Sequence, residues 1–119
     1  MMVDHVVAIV DDNVAILHSM ELLLELEGYE VSAHASPASF LADHSMQPAC
    51  LITDQNMSGM TGLQLVSQLR QQKNHIPVLL MCGFLSTDII ERASALGVTR
   101  VLEKPLELDD LLEFVGGFS

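Results

Sequence analysis

Hydrophobic and polar positions along this chain follow two alternating rhythms. Short unbroken apolar segments, rich in β-branched residues, occur at His5–Val10, Cys50–Thr53, Pro77–Cys82 and Thr99–Leu102. Runs of this kind predict strands buried on both faces. Tyr29–Ala35 is a fifth, less apolar segment of the same type. Between these segments the apolar residues recur at helical intervals. The spacing predicts a helix capped by Asn13 and running to Glu27, with Ile16, Met20, Leu23 and Leu24 inward and Gly28 closing it. Ser36 is placed to cap a second helix with Pro37 at its first position. Thr61–Gln71 carries Leu63, Leu65, Val66 and Leu69 on one side. Ser86 caps a helix over Thr87–Leu96 that Gly97 ends, and Leu106–Val115 forms the last, with Leu108, Leu111, Leu112 and Val115 on its apolar side.

Strand followed by helix, repeated along the whole chain, predicts an α/β fold: a doubly wound, five-stranded parallel sheet with helices on both faces and right-handed crossovers. Linkers, internal repeats and low-complexity tracts are absent, and 119 residues suit one domain spanning 1–119. In open sheets of this type the functional crevice lies beyond the carboxyl ends of the strands. Asp11 and Asp12 follow the first strand, and Asp54 follows the third in "LITDQNMSGMTG". Cys82 and Gly83 stand at the end of the fourth, and Lys104 follows the fifth in "VLEKP".

Charge and composition narrow the function. Half of the residues are hydrophobic, which argues against disorder. A formal charge of −11 argues against direct nucleic-acid binding by this domain, because phosphate backbones select basic surfaces. The same charge suits a cytoplasmic domain. No secretory leader is read at the start of the chain, and the longest apolar run, Ile76–Leu85, is too short to span a bilayer. Cys50 and Cys82 lie in apolar segments without metal-type spacing and are read as reduced and buried. His5, His18, His34, His44 and His75 show no paired ligand spacing and are read as surface or partly buried.

Three carboxylates brought to one sheet edge repel one another and need positive charge nearby. Lys104 is one source. A divalent cation is the other, and an all-oxygen donor set suits Mg²⁺. Taken singly, an Asp-Asp pair is also an ordinary helix start, and "KP" an ordinary loop dipeptide. The joint placement at corresponding strand ends is what favours a magnesium site formed by Asp11, Asp12 and Asp54.

At these residues the sequence resembles a receiver domain of two-component response regulators. The motifs "VDDN", "LITDQNMSGMTG", "PVLLMCG" and "VLEKPL" carry the resemblance over essentially the whole chain. It implies a flavodoxin-like fold with strand order 2-1-3-4-5. It implies that Asp54 is the phosphoacceptor, that Asp11 and Asp12 hold Mg²⁺ with the backbone carbonyl of Asn56, and that Lys104 contacts the phosphoryl group. The Gly83 amide is placed to do the same, and Pro105 is implied to follow a cis peptide bond. The implied partner is a sensor histidine kinase. The loop after Asp54 and the tail "EKPLELDDLLE" most resemble the subgroup that often carries a DNA-binding output domain, absent from this chain. Family members also often form homodimers through the fourth helix, fifth strand and fifth helix.

The sequence departs from the family pattern at three places. Cys82 stands where the family has a switch hydroxyl, and Val101 stands where it has a switch aromatic. Ser58 replaces the family's proline after "DQNM". A thiol is a much weaker donor than a hydroxyl, and valine has no ring to turn inward, so the usual transmission is expected to be altered. Other readings stay open here. One is a pseudo-receiver that binds partners without phosphorylation. A flavin-phosphate binder is disfavoured by the acidic "DDNVA" loop, and an aspartate-nucleophile phosphatase by Asn56 where a second acid would stand.

Overall fold

Ten elements alternate along the chain in the computed structural model, which describes residues 6–118. They are β1 (Val6–Val10), α1 (Val14–Leu26), β2 (Glu30–His34), α2 (Pro37–Ala42), β3 (Cys50–Asp54), α3 (Gly62–Gln71), β4 (Val78–Cys82), α4 (Thr87–Ala95), β5 (Arg100–Glu103) and α5 (Leu108–Gly116). His5, expected to open the first strand, lies outside the described residues. All neighbouring strands pair in parallel, in the order β2-β1-β3-β4-β5. This is the doubly wound arrangement that the strand–helix alternation predicts.

β1, β3 and β4 are buried at every position, so three of the four apolar runs are central strands covered on both faces. The fourth, Thr99–Leu102, is not buried on both faces as expected, because β5 stands at the edge of the sheet and is only half-buried. Alternate residues go to opposite sides. Val7, Ile9, Ile52, Leu79 and Met81 pack against Leu17, Met20 and Leu24 of α1 and Leu111, Phe114 and Val115 of α5. Ala8, Val10, Leu51 and Val78 pack on the other side against Leu65, Val66 and Leu69 of α3. Leu80 meets Leu63 and Ala93 there. Fully burying each large aliphatic chain is worth about 1.5–3 kcal/mol, which makes this two-sided packing the main source of stability.

The helix starts agree with the expected caps. The side chains of Asn13, Ser36 and Ser86 accept amide hydrogens from Ile16, Ser39 and Ile89. Thr61 and Gln64 form a reciprocal capping box at the start of α3. Gly28 and Gly97 end their helices with φ of +97° and +71°, a conformation that side-chain-bearing residues avoid.

Three further expectations need correction. Ile16 and Leu23 are not core residues, being 36% and 37% exposed. The buried stripe of α1 is Leu17, Met20 and Leu24, rotated by about one residue from the expected one. In a helix with apolar residues on most sides, only the docking angle decides which stripe is buried. α5 begins at Leu108 and not Leu106, and buries Phe114, which the spacing overlooked. His34 is also buried, its ring held between the hydroxyls of Ser32 and Ser39 at 2.8 and 2.9 Å.

Behind the end of β3 the chain turns back so closely that residue 62 has no room for a side chain. A Cβ on Gly62 would overlap the backbone oxygen of Asp54 and lie 2.7 Å from Leu80 Cδ1. Gly62→Ala is therefore expected to destabilise the domain by about 1–3 kcal/mol through forced backbone displacement, measured by chemical denaturation.

Candidate functional site

The strand ends converge because the ladders of β3, β4 and β5 extend one step beyond the sheet. The Gln55 amide donates to the Met81 carbonyl at 2.7 Å, and the Lys104 amide to the Cys82 carbonyl at 2.8 Å. On the other side the Asp11 amide donates to the His34 carbonyl at 3.1 Å. These bonds fix the backbone of Asp11, Asp54 and Lys104 at one rim of the sheet.

The side chains meet above that rim. One carboxylate oxygen from each of Asp11, Asp12 and Asp54 lies within 4.8 Å of the others. Lys104 Nζ is 3.0 Å from Asp54 Oδ1 and 4.0 Å from Asp11 Oδ2. Each carboxylate also accepts one backbone amide. Asn13 donates to Asp11 Oδ1 at 2.9 Å, Asn56 to Asp54 Oδ1 at 3.3 Å, and Ser58 to Asp12 Oδ2 at 3.0 Å. Asp11 and Asp54 are buried, whereas Asp12 faces solvent.

Asp11 Oδ2 is a buried oxygen without a hydrogen-bond partner. Burial pushes the Asp11 carboxyl above the ordinary carboxylate range; the Asn13 amide opposes this, and the charge of Asp54 adds to the rise. Such a group is expensive unless a cation completes it. One ammonium cannot balance three carboxylates. The donor set is all oxygen, convergent and partly open to solvent, and it fits a hard divalent cation such as Mg²⁺.

The remaining candidates surround this cluster. Asn56 and Gly83 are neighbours across the mouth, since a Cβ on Gly83 would lie 3.6 Å from Asn56 Nδ2. The Lys104–Pro105 peptide bond is cis. Cys82 is buried, and its thiol donates toward the Leu102 carbonyl of β5 at 3.7 Å. Burial raises its pKa, with Glu103 and Asp54 adding to the shift. Val101 is half-buried and packs with the Leu63, Leu80 and Ala93 cluster.

Two contributors were not singled out from the sequence. Gly62 permits the close return of the chain behind Asp54, and the "MTG" that opens α3 is the only local signal for it. Gln55 is buried and its Oε1 accepts from the Leu63 amide at 2.8 Å, tying the residue after Asp54 to the start of α3. That contact joins residues eight positions apart and has no periodic signature.

Comparison with known proteins agrees with this geometry. Residues 7–116 match the response regulator receiver domain family. The chain is 35% identical over 102 residues to the transcriptional regulatory protein FixJ of Azorhizobium caulinodans, covering 85% of this chain and 48% of that protein. It is 30% identical to FixJ of Rhizobium meliloti, covering 96% of this chain and 56% of that protein. The chain thus spans about half the length of these relatives. Among solved structures, FixJ-N superposes with a TM-score of 0.86 at 30% identity, covering 97% of this chain and 93% of that one. The chemotaxis protein CheY4 of Vibrio cholerae superposes with a TM-score of 0.89 at 28% identity, covering 98% and 100%. Among the described residues no helix is long and apolar enough to cross a membrane. With its five-stranded order, its acidic cluster and a family match over nearly its full length, the chain belongs to the response regulator receiver domains.

Proposed function

We propose that this receiver domain accepts a phosphoryl group on Asp54 from the phosphohistidine of a sensor histidine kinase, and that the modified domain controls an output domain or partner. The observation that carries the reading is the Asp54 carboxylate, held 3.0 Å from Lys104 and beside the buried, unpartnered oxygen of Asp11. A partner kinase places the reaction in the cytoplasm.

The chemistry asks little covalent work of the protein. An Asp54 carboxylate oxygen attacks phosphorus, the P–N bond to the donor imidazole breaks, and the imidazole leaves with the electron pair. Positioning and charge neutralisation then carry the catalysis. The rim backbone bonds and the Asn56 amide aim the nucleophile. Lys104 Nζ offers a compact positive charge to a phosphoryl oxygen, and the Gly83 amide offers a donor to another. Asp11, Asp12, Asp54 and the Asn56 carbonyl would hold Mg²⁺, which supplies the further positive charge that a transferring phosphoryl group requires. The acyl phosphate brings roughly two negative charges to the rim, and that added charge is the signal.

Transmission of the signal differs from the family pattern. With the Cys82 thiol turned toward Leu102 and Val101 packed in an apolar cluster, neither residue supplies the hydroxyl and ring movements. The same two residues support a second reading, a pseudo-receiver recognised by its partner without phosphorylation. Output through the face of α4, β5 and α5, including pairing with a second copy, belongs to the first reading.

Incubation with acetyl phosphate and Mg²⁺, followed by intact mass, is expected to show one added phosphoryl group. Chelation of the metal or Asp54→Asn is expected to abolish it. An unmodified wild-type protein under these conditions would favour the pseudo-receiver. Cys82→Thr is expected to enlarge the phosphorylation-dependent change in amide hydrogen exchange across α4 and β5. An unaltered exchange pattern would mean that the thiol is not the weak link.

A further inference from the structure

Asp12 differs from its two partners in the acidic cluster. Asp11 and Asp54 are buried and fixed by the sheet rim, but Asp12 is exposed on the loop after β1. An exposed aspartate on a loop samples several rotamers, and a ligand that must be ordered on binding costs affinity. Here the carboxylate is not free to turn. Its Oδ2 accepts the backbone amide of Ser58 at 3.0 Å, from a loop 46 residues away in sequence. Among the side-chain hydrogen bonds at the rim, this one joins the loop after β1 to the loop after β3.

We infer that the Ser58 amide is a positioning donor for Asp12, one that preorganises the divalent-cation site and that a proline at residue 58 would remove. The inference rests on the metal-dependent reading given above. Proline has no amide hydrogen, so the bond exists only because residue 58 is not proline. A hydrogen bond to an ionised carboxylate is among the stronger ones. It restrains the Asp12 rotamer and spreads some of its charge onto the backbone. It engages Asp12 through Oδ2 and holds the carboxylate in one orientation at the cluster. The same loop supplies the Asn56 amide to Asp54 Oδ1, so one segment orients two of the three carboxylates. Gly59 at φ +85° and the Met60 amide, which donates to the Ser58 carbonyl at 3.0 Å, hold that segment in its turn. The departure at residue 58 therefore tightens the site. The Ser58 hydroxyl takes no part in the contact with Asp12.

The test is Mg²⁺ binding by calorimetry to the wild-type chain, to Ser58→Ala, which keeps the amide, and to Ser58→Pro, which deletes it. Loss of an outer partner to a metal ligand typically weakens binding 10- to 100-fold, and the expected effect of the proline is at the low end, about tenfold. The alanine variant is expected to bind as the wild type does, and the unfolding midpoint of the proline variant without Mg²⁺ is expected to stay near that of the wild type. Equal Mg²⁺ affinity in all three chains overturns the inference and leaves the metal-dependent reading intact. Failure of the wild-type chain to bind Mg²⁺ overturns both. The Ser58 amide proton gives an independent readout in the folded wild type: it is expected to resonate downfield and to move upfield in Asp12→Ala. An amide unmoved by that substitution overturns the inference even where the proline variant does not fold.

Discussion

Everything distinctive about this domain follows from placing three carboxylates at one rim of a parallel sheet with a single ammonium among them. Asp11, Asp12 and Asp54 bring like charges to within 4.8 Å, and Lys104 reaches Asp54 and Asp11 at 3.0 and 4.0 Å. The arrangement is electrostatically incomplete. It is tolerable because the rim is built on the most deeply buried strands of the molecule. β1, β3 and β4 are covered on both faces, and their backbones cannot relax to separate the charges without opening the core. Stability generated by the apolar layers thus holds a polar site in a state that favours incoming positive charge.

The same constraint shows how chemistry and signalling can be separated. The groups that would perform phosphoryl transfer sit on the rim itself and are held by main-chain bonds, so they depend little on neighbouring side chains. The groups that would pass the signal on, Cys82 and Val101, engage β5 and the apolar layer beneath α4. β5 is an edge strand, half-buried along most of its length, and its outer side is braced by Arg100 donating to Glu113 at 2.7 Å. A receiver can in this way keep its acceptor chemistry while its output diverges.

The loops that cover the rim contribute more than closure. Amides of Asn13, Asn56 and Ser58 each donate to one of the three carboxylates. Backbone donors of this kind need no side-chain ordering and are available wherever the residue is not proline. The identity of residue 58 therefore matters through what its backbone can offer, a role that a side-chain comparison overlooks.

The sequence by itself determined the element order and the three acids and lysine at the strand ends. Each of these is a local property, written in the period of the apolar residues and in the residue that follows each run. It also carried the caps of α1, α2 and α4, because a cap is satisfied within one turn of chain. Tertiary structure alone decided which stripe of α1 is buried. Leu17, Met20 and Leu24 face the sheet while Ile16 and Leu23 face out, and both stripes are equally apolar in sequence. It alone decided that His34 is buried between two serines, that residue 62 has no space for a methyl group, and that Ser58 reaches Asp12. The physical reason is common to all of these. They are set by distances between segments far apart in the chain, and no local period encodes how two loops meet above a sheet.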